Sequence, residues 1–172
     1  MTMMVQSGLD MVGRETPVEQ VMRELDRLIE KRGGERFVTG IYATITPEGL
    51  LTFSNAGHPP LILLPGKKPL QTFSQHGGIP LGLGLTPPSY VEEKVELQPG
   101  DKFFLFSDGI IEWEGRRGEQ YGAQRLLDFL EGKRTLNVPA MVAGALEDLQ
   151  LFAEGRDCGD DCTLLGFEYL GA

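Results

Sequence analysis

One carboxylate closely follows a strongly apolar run of the chain. The run from Phe103 to Phe106 leads into Asp108 and Gly109. A carboxylate at the end of a buried strand loses its hydration, and a cation or hydrogen-bond donors must then compensate. Mg²⁺ and Mn²⁺ prefer carboxylate oxygens, and Gly109 lets backbone or water approach closely. Asp108 is therefore a candidate ligand of a hard cation, while the dipeptide alone favours an ordinary Asp-Gly turn.

A second pair of acids, Asp160 and Asp161, immediately precedes the last apolar segment of the chain. Two separated acids at strand ends can converge on one divalent ion. Two neighbouring acids before a strand are equally typical of a solvated loop. The pair alone leaves both interpretations open.

The remaining candidate groups are a histidine and two cysteines. His58 is held between Gly57 and Pro59 and could act as a ligand, a proton carrier or a phosphate contact, although a structural role that fixes the loop is favoured. His76 is assigned no role. Cys158 and Cys162 could join the histidines in a Cys₂His₂ zinc site, but no paired His motif supports this hypothesis.

Composition restricts the class of protein. The 172 residues include 16 Lys and Arg against 25 Asp and Glu, a net charge of −9 that disfavours nucleic acid and anionic membrane surfaces as partners. Two cysteines are too few for a disulfide framework, which favours a reducing, cytoplasmic location. No apolar run approaches the ~18 residues of a membrane span. The Gly-rich stretch from Gly77 to Gly84 lacks a P-loop signature and is predicted to be a mobile loop.

Helices at both ends of the sequence surround a block of strands. Apolar spacing predicts a short helix over Met1–Val12 and a longer one from Thr16-Pro17 to Gly33. A hairpin is predicted over 37–54, with its turn at Pro47 to Gly49. Further strands are predicted at 61–64, 70–73, 90–97, 102–106 and 162–169, and helices at 123–130 and 139–153. With no repeat or linker, these elements indicate one α+β domain of antiparallel sheets layered with helices.

Five motifs in order carry a resemblance to a known family. They are Asn-Ala-Gly-His at 55–58, Gly-Ile-Pro-Leu-Gly at 78–82, the segment 100–109 that ends in Ser-Asp-Gly, Gly-Glu-Gln-Tyr-Gly at 118–122 and Asp-Asp-Cys-Thr-Leu-Leu at 160–165. From about Val18 onward, the chain resembles the bacterial SpoIIE/RsbU-type serine phosphatases, which belong to the metal-dependent PPM-type protein phosphatases. This resemblance outweighs the turn and loop interpretations of Asp108 and Asp160.

The resemblance implies an α-β-β-α sandwich of two antiparallel sheets flanked by helices, with a metal centre at one sheet end. It implies that two Mn²⁺ or Mg²⁺ ions activate a water that attacks phosphoserine or phosphothreonine. Asp108 and Asp160 match metal-ligand positions of the family. Asp161, Gly109 and His58 are possible secondary members of the site. The implied partner is a phosphorylated regulatory protein, typically an anti-sigma-factor antagonist.

The sequence departs from the family pattern at its start. Family members carry a Gly-Asp-x-x-Asp strand motif and a Gly-His-Gly-like turn upstream of the first long helix, and neither occurs in this chain. We therefore expect a domain truncated at its N-terminus, with weak metal binding, little turnover, and a homodimer that covers the unpaired sheet edge. A catalytically inactive remnant that binds a partner protein is the alternative. A small zinc or redox protein built on Cys158 and Cys162 is a less favoured third interpretation.

Overall fold

A computed structural model of the chain describes residues 16–33, 37–73, 78–84 and 90–172. The described residues form two compact units. The first contains the described segments up to His58 and from Gly78 to Glu96, and the second contains those from Pro59 to Phe73 and from Leu97 to Ala172.

The first unit consists of one helix and a three-stranded antiparallel sheet. Helix α1 is Val18–Gly33, and the strands are β1 Gly40–Ile45, β2 Leu50–Ala56 and β5 Glu93–Glu96, in the order β1-β2-β5. The register between β1 and β2 runs from Gly40 opposite Ala56 to Ile45 opposite Leu51. One face of the amphipathic helix is buried, since apolar residues three and four apart share a face. The core of this unit is Val21, Met22, Leu25, Ile29, Ala56, Leu81 and Tyr90.

A buried carboxylate on α1 is the main polar feature of this unit. Asp26 is only 4% exposed, and it accepts hydrogen bonds from the Gly82 N–H at 2.7 Å and the Tyr90 hydroxyl at 3.0 Å. Burial raises the pKa of the Tyr90 hydroxyl, and the Asp26 charge raises it further. The two donors replace the water that Asp26 gives up, so this carboxylate ties α1 to the segments around residues 82 and 90.

The segment 78–81 corrects the prediction of a mobile loop. Val38 and Leu81 exchange two backbone hydrogen bonds, of 2.9 and 2.8 Å, and Leu81 is buried. The Gly78 N–H donates to the Asn55 carbonyl at 2.7 Å. A backbone paired in this way on a buried side chain is fixed, so the prediction is wrong for these residues. His76 lies outside the described residues.

The second unit has a four-stranded antiparallel sheet and three helices. The strands are β3 Leu61–Leu64, β4 Gln71–Phe73, β6 Lys102–Phe106 and β7 Leu164–Glu168, in the order β4-β3-β6-β7. The helices are α2 Asp108–Glu112, α3 Ala123–Gly132 and α4 Val138–Ala153. Asn137 caps α4, because its side-chain oxygen accepts the Ala140 N–H at 2.9 Å. The core is formed by Ile62, Leu64, Phe104, Phe106, Ile110, Tyr121, Leu126, Leu130, Met141, Ala145 and Leu149.

The predicted elements are found with shifts of a few residues at their ends, and the prediction of helices with antiparallel sheets is confirmed. One element is new, because α2 begins at Asp108, where a turn was the simplest interpretation of Asp-Gly. The predicted helix over Met1–Val12 lies outside the described residues. Within the described ranges, no helix combines the length and apolar character that crossing a membrane requires.

The buried carboxylate yields a stability prediction. Tyr90→Phe removes one of the two donors to Asp26 and leaves a buried carboxylate undersatisfied, so we expect a loss of about 1–3 kcal/mol in the free energy of unfolding. Tyr42→Phe is the matched control, since Tyr42 is half-buried and its hydroxyl makes no hydrogen bond to the described residues. Urea denaturation measures both variants, and equal losses would contradict the role of Asp26.

Candidate metal centre

Asp108 lies where strand β6 gives way to helix α2. The strand ends at Phe106, Ser107 precedes the helix in an extended conformation, and Asp108 is the first helical residue. Gly109 and Ile110 are buried, whereas the Asp108 side chain is exposed and accepts the Gly109 N–H at 3.1 Å. The expected loss of hydration is therefore wrong, because the helix turns its first residue toward solvent. A solvated carboxylate at this place is free to bind a cation.

The Ser107 side chain joins the two acidic motifs. Its hydroxyl donates to the Asp161 carbonyl at 2.7 Å and accepts the Thr163 N–H at 2.8 Å. The Ser107 N–H donates to the Thr163 carbonyl at 3.0 Å, which continues the β6–β7 ladder by one step. Ser107 stands at the N-cap position of α2 but makes no side-chain cap. Its hydroxyl instead fixes the Asp160-Asp161 segment beside the start of α2.

Gly109 brings the two backbones into direct contact. A Cβ atom added at Gly109 would lie 2.6 Å from the Asp161 carbonyl oxygen, 3.1 Å from its carbon and 3.5 Å from the Asp160 carbonyl carbon. Side chains do not tolerate backbone at such distances, so glycine is required here. The backbones of the Ser-Asp-Gly and Asp-Asp motifs therefore touch, although Gly109 and Asp161 are 52 positions apart in sequence. Asp108 and Asp160 flank this contact.

A cleft of about 610 Å³ lies beside the contact. Its lining holds four carboxylates against one guanidinium, and Arg156 already pairs with Glu114 at 2.8 Å. The negative charge in excess favours cations over anions at this surface. The lining residues are Gly109, Glu112, Trp113, Glu114, Arg156, Asp157, Cys158, Gly159 and Asp160.

Within the described part of the chain, the carboxylates of the two motifs have no cationic partner. Among the described residues, neither Asp108, Asp160 nor Asp161 forms an ion pair. Asp160 accepts only the Asp161 N–H, at 2.7 Å. Exposed, unpaired carboxylate oxygens fit Mg²⁺ or Mn²⁺, which need several such ligands. In the described part of the chain, however, no three His, Cys, Asp or Glu side chains are grouped so as to hold a metal. These carboxylate oxygens are donors of the type that a divalent ion binds, but the described residues supply only part of the set that such an ion needs.

The two cysteines adjoin the acidic segment. Cys158 Sγ and Cys162 Sγ are 2.7 Å apart as free thiols, and Cys158 Sγ donates to the Gly109 carbonyl at 3.6 Å. Burial raises the pKa of the Cys162 thiol to about 12, with Cys158 and the charges of Asp160 and Asp161 adding to the shift. Nothing in the described residues supports the Cys₂His₂ zinc hypothesis, because they contain no group of three metal-ligating side chains.

His58 belongs to the first unit, where it is part of a closed turn. The buried Asn55 side chain accepts the His58 N–H at 2.8 Å and donates to the His58 carbonyl at 2.9 Å. Gly57 has φ +66°, and a Cβ there would lie 2.8 Å from the Pro80 ring. The Asn-Ala-Gly-His motif therefore shapes a tight turn through backbone groups of His58, and the role of the His58 ring stays a prediction.

Two contributions to the site were missed in the sequence. The sequence alone gives Ser107 no role of its own, although a serine before an acid at a strand end is a recognisable candidate for fixing a neighbouring segment by hydrogen bonds. The motif Gly-Glu-Gln-Tyr-Gly at 118–122 gives no indication of a structural role for Tyr121. Its buried ring meets Phe152 edge-on at 5.4 Å, and its hydroxyl donates to Asp148 at 2.7 Å. Tyr121 also donates its N–H to the Trp113 carbonyl at 2.9 Å, which anchors one wall of the cleft.

Comparison with protein families identifies one match that covers nearly the whole chain. Residues 1–170 match the family model described as Stage II sporulation protein E (SpoIIE). A search of curated protein sequences finds no significant relative.

Solved structures show the same fold. The SiaA-PP2C domain of Pseudomonas aeruginosa is similar with a TM-score of 0.82 and 20% identity, over 96% of this chain and 66% of that one. The RsbU and RsbW domains of Rv1364c from Mycobacterium tuberculosis are similar with a TM-score of 0.73 and 21% identity, over 96% of this chain and 45% of that one. The phosphatase domain of the cell fate determinant SpoIIE from Bacillus subtilis, presoaked with Mn, has a TM-score of 0.64 and 15% identity. This match covers 97% of this chain and 72% of that one. The chain thus has the fold of PP2C-type phosphatase domains and spans less than two thirds of the first two neighbours' lengths.

The close contact at Gly109 yields a second stability prediction. Gly109→Ala places a methyl group against the Asp161 backbone, so we expect the free energy of unfolding to fall by about 1–3 kcal/mol. Gly132→Ala is the matched control, because nothing lies within 4 Å of a Cβ there and the residue is helical. Urea denaturation compares the two, and a neutral Gly109→Ala variant would refute the contact.

Proposed function

Because the chain belongs to the SpoIIE family, we propose that it supplies metal ligands to a serine/threonine protein phosphatase domain. The observation that carries the proposal is the backbone contact between the Ser-Asp-Gly and Asp-Asp motifs. Asp160 lines the cleft, and Asp108 precedes the lining residue Gly109. The family consists of PP2C-type phosphatases, and an ester hydrolysis that uses divalent ions requires such oxygen donors.

Each residue of the contact has a separate role in this proposal. Asp108 and Asp160 bind the divalent ions, Mn²⁺ or Mg²⁺, through exposed carboxylates. Asp161 and Gly109 are secondary members, since their backbones fix the spacing of the two ligands. His58 is a further secondary candidate. When bound, the ions supply a water of lowered pKa and positive charge near the phosphoryl oxygens.

Charge explains why metal is needed for substrate binding. The chain carries a net charge of −9, and four carboxylates line the cleft, so a phosphorylated side chain is repelled when the site is metal-free. Neutralisation of Asp108 and Asp160 by divalent ions removes part of this repulsion. Arg156 is the one guanidinium in the lining against four carboxylates, so it offsets only part of the repulsion.

The proposed substrate is phosphoserine or phosphothreonine on a regulatory protein, such as an anti-sigma-factor antagonist, in the cytoplasm. One structural neighbour joins an RsbU domain to an RsbW domain, which supports a partner-regulated pathway. The neighbour presoaked with Mn supports the choice of cofactor. The proposed domain is a single, partial SpoIIE-like phosphatase domain over residues 1–172.

A second candidate function rests on the partial donor set. No group of three metal-ligating side chains occurs among the described residues, and two carboxylates compete poorly with water for a divalent ion. A chain without further ligands would bind a partner protein and do no chemistry. Joining the chain to an upstream segment that carries Gly-Asp-x-x-Asp separates the candidates, since only the phosphatase gains Mn²⁺-dependent hydrolysis.

The partial donor set predicts the behaviour of the chain alone. We expect Mn²⁺ affinity in the millimolar range or weaker by isothermal titration, with little turnover of a phosphoserine peptide or p-nitrophenyl phosphate. Brisk Mn²⁺-dependent hydrolysis by the chain alone would show that its own residues complete the site.

The ligand assignment is tested in the form that carries the upstream segment. Asp108→Asn and Asp160→Asn should each lower Mn²⁺ affinity at least roughly 10-fold, because each removes a charged ligand. Asp128→Asn removes the same charge from the exposed face of α3 and is the control. If the control lowers affinity as much as the two site variants, general electrostatics and not ligation accounts for the binding.

The edge of the second sheet predicts self-association. Strand β7 is at the end of the order β4-β3-β6-β7, and Leu165 and Phe167 on it are 49% and 44% exposed. A strand edge that has no partner among the described strands, on a strand with exposed apolar side chains, favours pairing with a second copy. We expect a dimer by light scattering and a shift toward monomer in Leu165→Lys. A monomer at all concentrations would contradict this expectation.

A further inference from the structure

Cys158 and Cys162 are the only cysteines of the chain, and the structure places them in contact. Their Sγ atoms are 2.7 Å apart, whereas a disulfide requires about 2.05 Å, so closing the bond needs a movement of roughly 0.7 Å. Both side chains are half-buried. The segment that carries Cys158 belongs to neither a helix nor a strand, so it can adjust at low cost.

The three residues between the cysteines include both acids of the Asp-Asp motif. A bond between Cys158 and Cys162 therefore encloses Asp160 and Asp161 in one small ring. Cys158 also donates its S–H to the Gly109 carbonyl at 3.6 Å. A disulfide has no S–H group, so oxidation removes this contact beside Asp108.

We propose that Cys158 and Cys162 form a reversible intramolecular disulfide that changes how the Asp160-Asp161 segment sits on the Ser107–Gly109 segment. The oxidant is a small-molecule disulfide of the glutathione type. One cysteine attacks it and releases one thiol, and the second cysteine then attacks the mixed disulfide and releases the other. The protein loses two electrons and two protons, and the small disulfide is reduced to two thiols.

The expected consequence is control of the acidic site by the thiol state. Oxidation fixes Asp160 within the ring while it releases Cys158 from Gly109, so the spacing of Asp160 and Asp108 changes. Metal sites depend on such supporting contacts, whose loss typically weakens binding by roughly 10–100-fold. This consequence rests on the proposed function, whereas the disulfide itself does not.

The first part of the experiment counts thiols. The purified chain is incubated in glutathione buffers of increasing oxidised fraction until the thiol number no longer changes. Alkylation and mass spectrometry should then show a fall from two free thiols to none, and dithiothreitol should restore both. Cys158→Ser and Cys162→Ser are controls in which the intramolecular bond cannot form. Persistence of two thiols in the most oxidising buffer, or disulfides only between chains, would overturn the proposal.

The second part measures, by amide hydrogen exchange, whether the disulfide changes the contact between the Asp160-Asp161 and Ser107–Gly109 segments. Ser107 donates its N–H to the Thr163 carbonyl, so its exchange rate reports the contact between the two segments. We expect a change of at least roughly 10-fold on oxidation at Ser107 and Thr163, with none in α3. Unchanged exchange in a fully oxidised chain would overturn the coupling. Neither readout uses metal or activity, so failure of the proposed function would appear separately, as absent Mn²⁺ binding in the reduced form that carries the upstream segment.

Discussion

The contact between Gly109 and the Asp161 backbone is the constraint on which the site depends. A Cβ at residue 109 would lie 2.6 Å from the Asp161 carbonyl oxygen, so only glycine lets the two segments meet. The Ser107 hydroxyl holds the contact from both sides, through the Asp161 carbonyl and the Thr163 N–H. Two hydrogen bonds and one missing side chain thus bring together two backbone segments that are distant in sequence.

The sheet of the second unit prepares this contact. Strands β6 and β7 pair antiparallel from Lys102 opposite Glu168 to Phe106 opposite Leu164, so the end of one strand meets the start of the other. Residues just beyond that end are necessarily neighbours, and they are the two acidic motifs. The buried core below consists of Phe104, Phe106 and Ile110 with the helices α3 and α4. Apolar packing fixes the ends of strands β6 and β7, and the exposed acids Asp108, Asp160 and Asp161 lie just beyond those ends.

Hydrophobic patterning was sufficient to predict most elements. The alternation and turn residues of 37–54 predict the hairpin, and the stripe from Val18 to Ile29 predicts α1, because both patterns are local. The buried Asp26 could not be predicted, since its partners Gly82 and Tyr90 are more than fifty residues away. Helix α2 was missed because a single helical turn after Asp-Gly has no periodicity to detect.

The candidate site was predictable only in part, because its residues are marked by local sequence patterns but their arrangement depends on long-range contacts. Asp108 and Asp160 stand out because each adjoins an apolar strand, but their exposure depends on how α2 leaves the sheet. The proximity of Cys158 to Cys162 and to the Gly109 carbonyl also arises from the fold, since the loop conformation follows from long-range contacts. Spacing identifies candidate residues, and the fold decides which of them meet.

The central claim is that Asp108 and Asp160 share one metal centre. The most direct measurement is an anomalous-scattering map from a Mn²⁺-soaked crystal of the form that carries the upstream segment. The account predicts a manganese peak beside Gly109, with a carboxylate oxygen of Asp108 and one of Asp160 each within about 2.2 Å of a metal ion of that centre. Carboxylates too far apart to reach a common centre, or manganese bound only elsewhere, would contradict it.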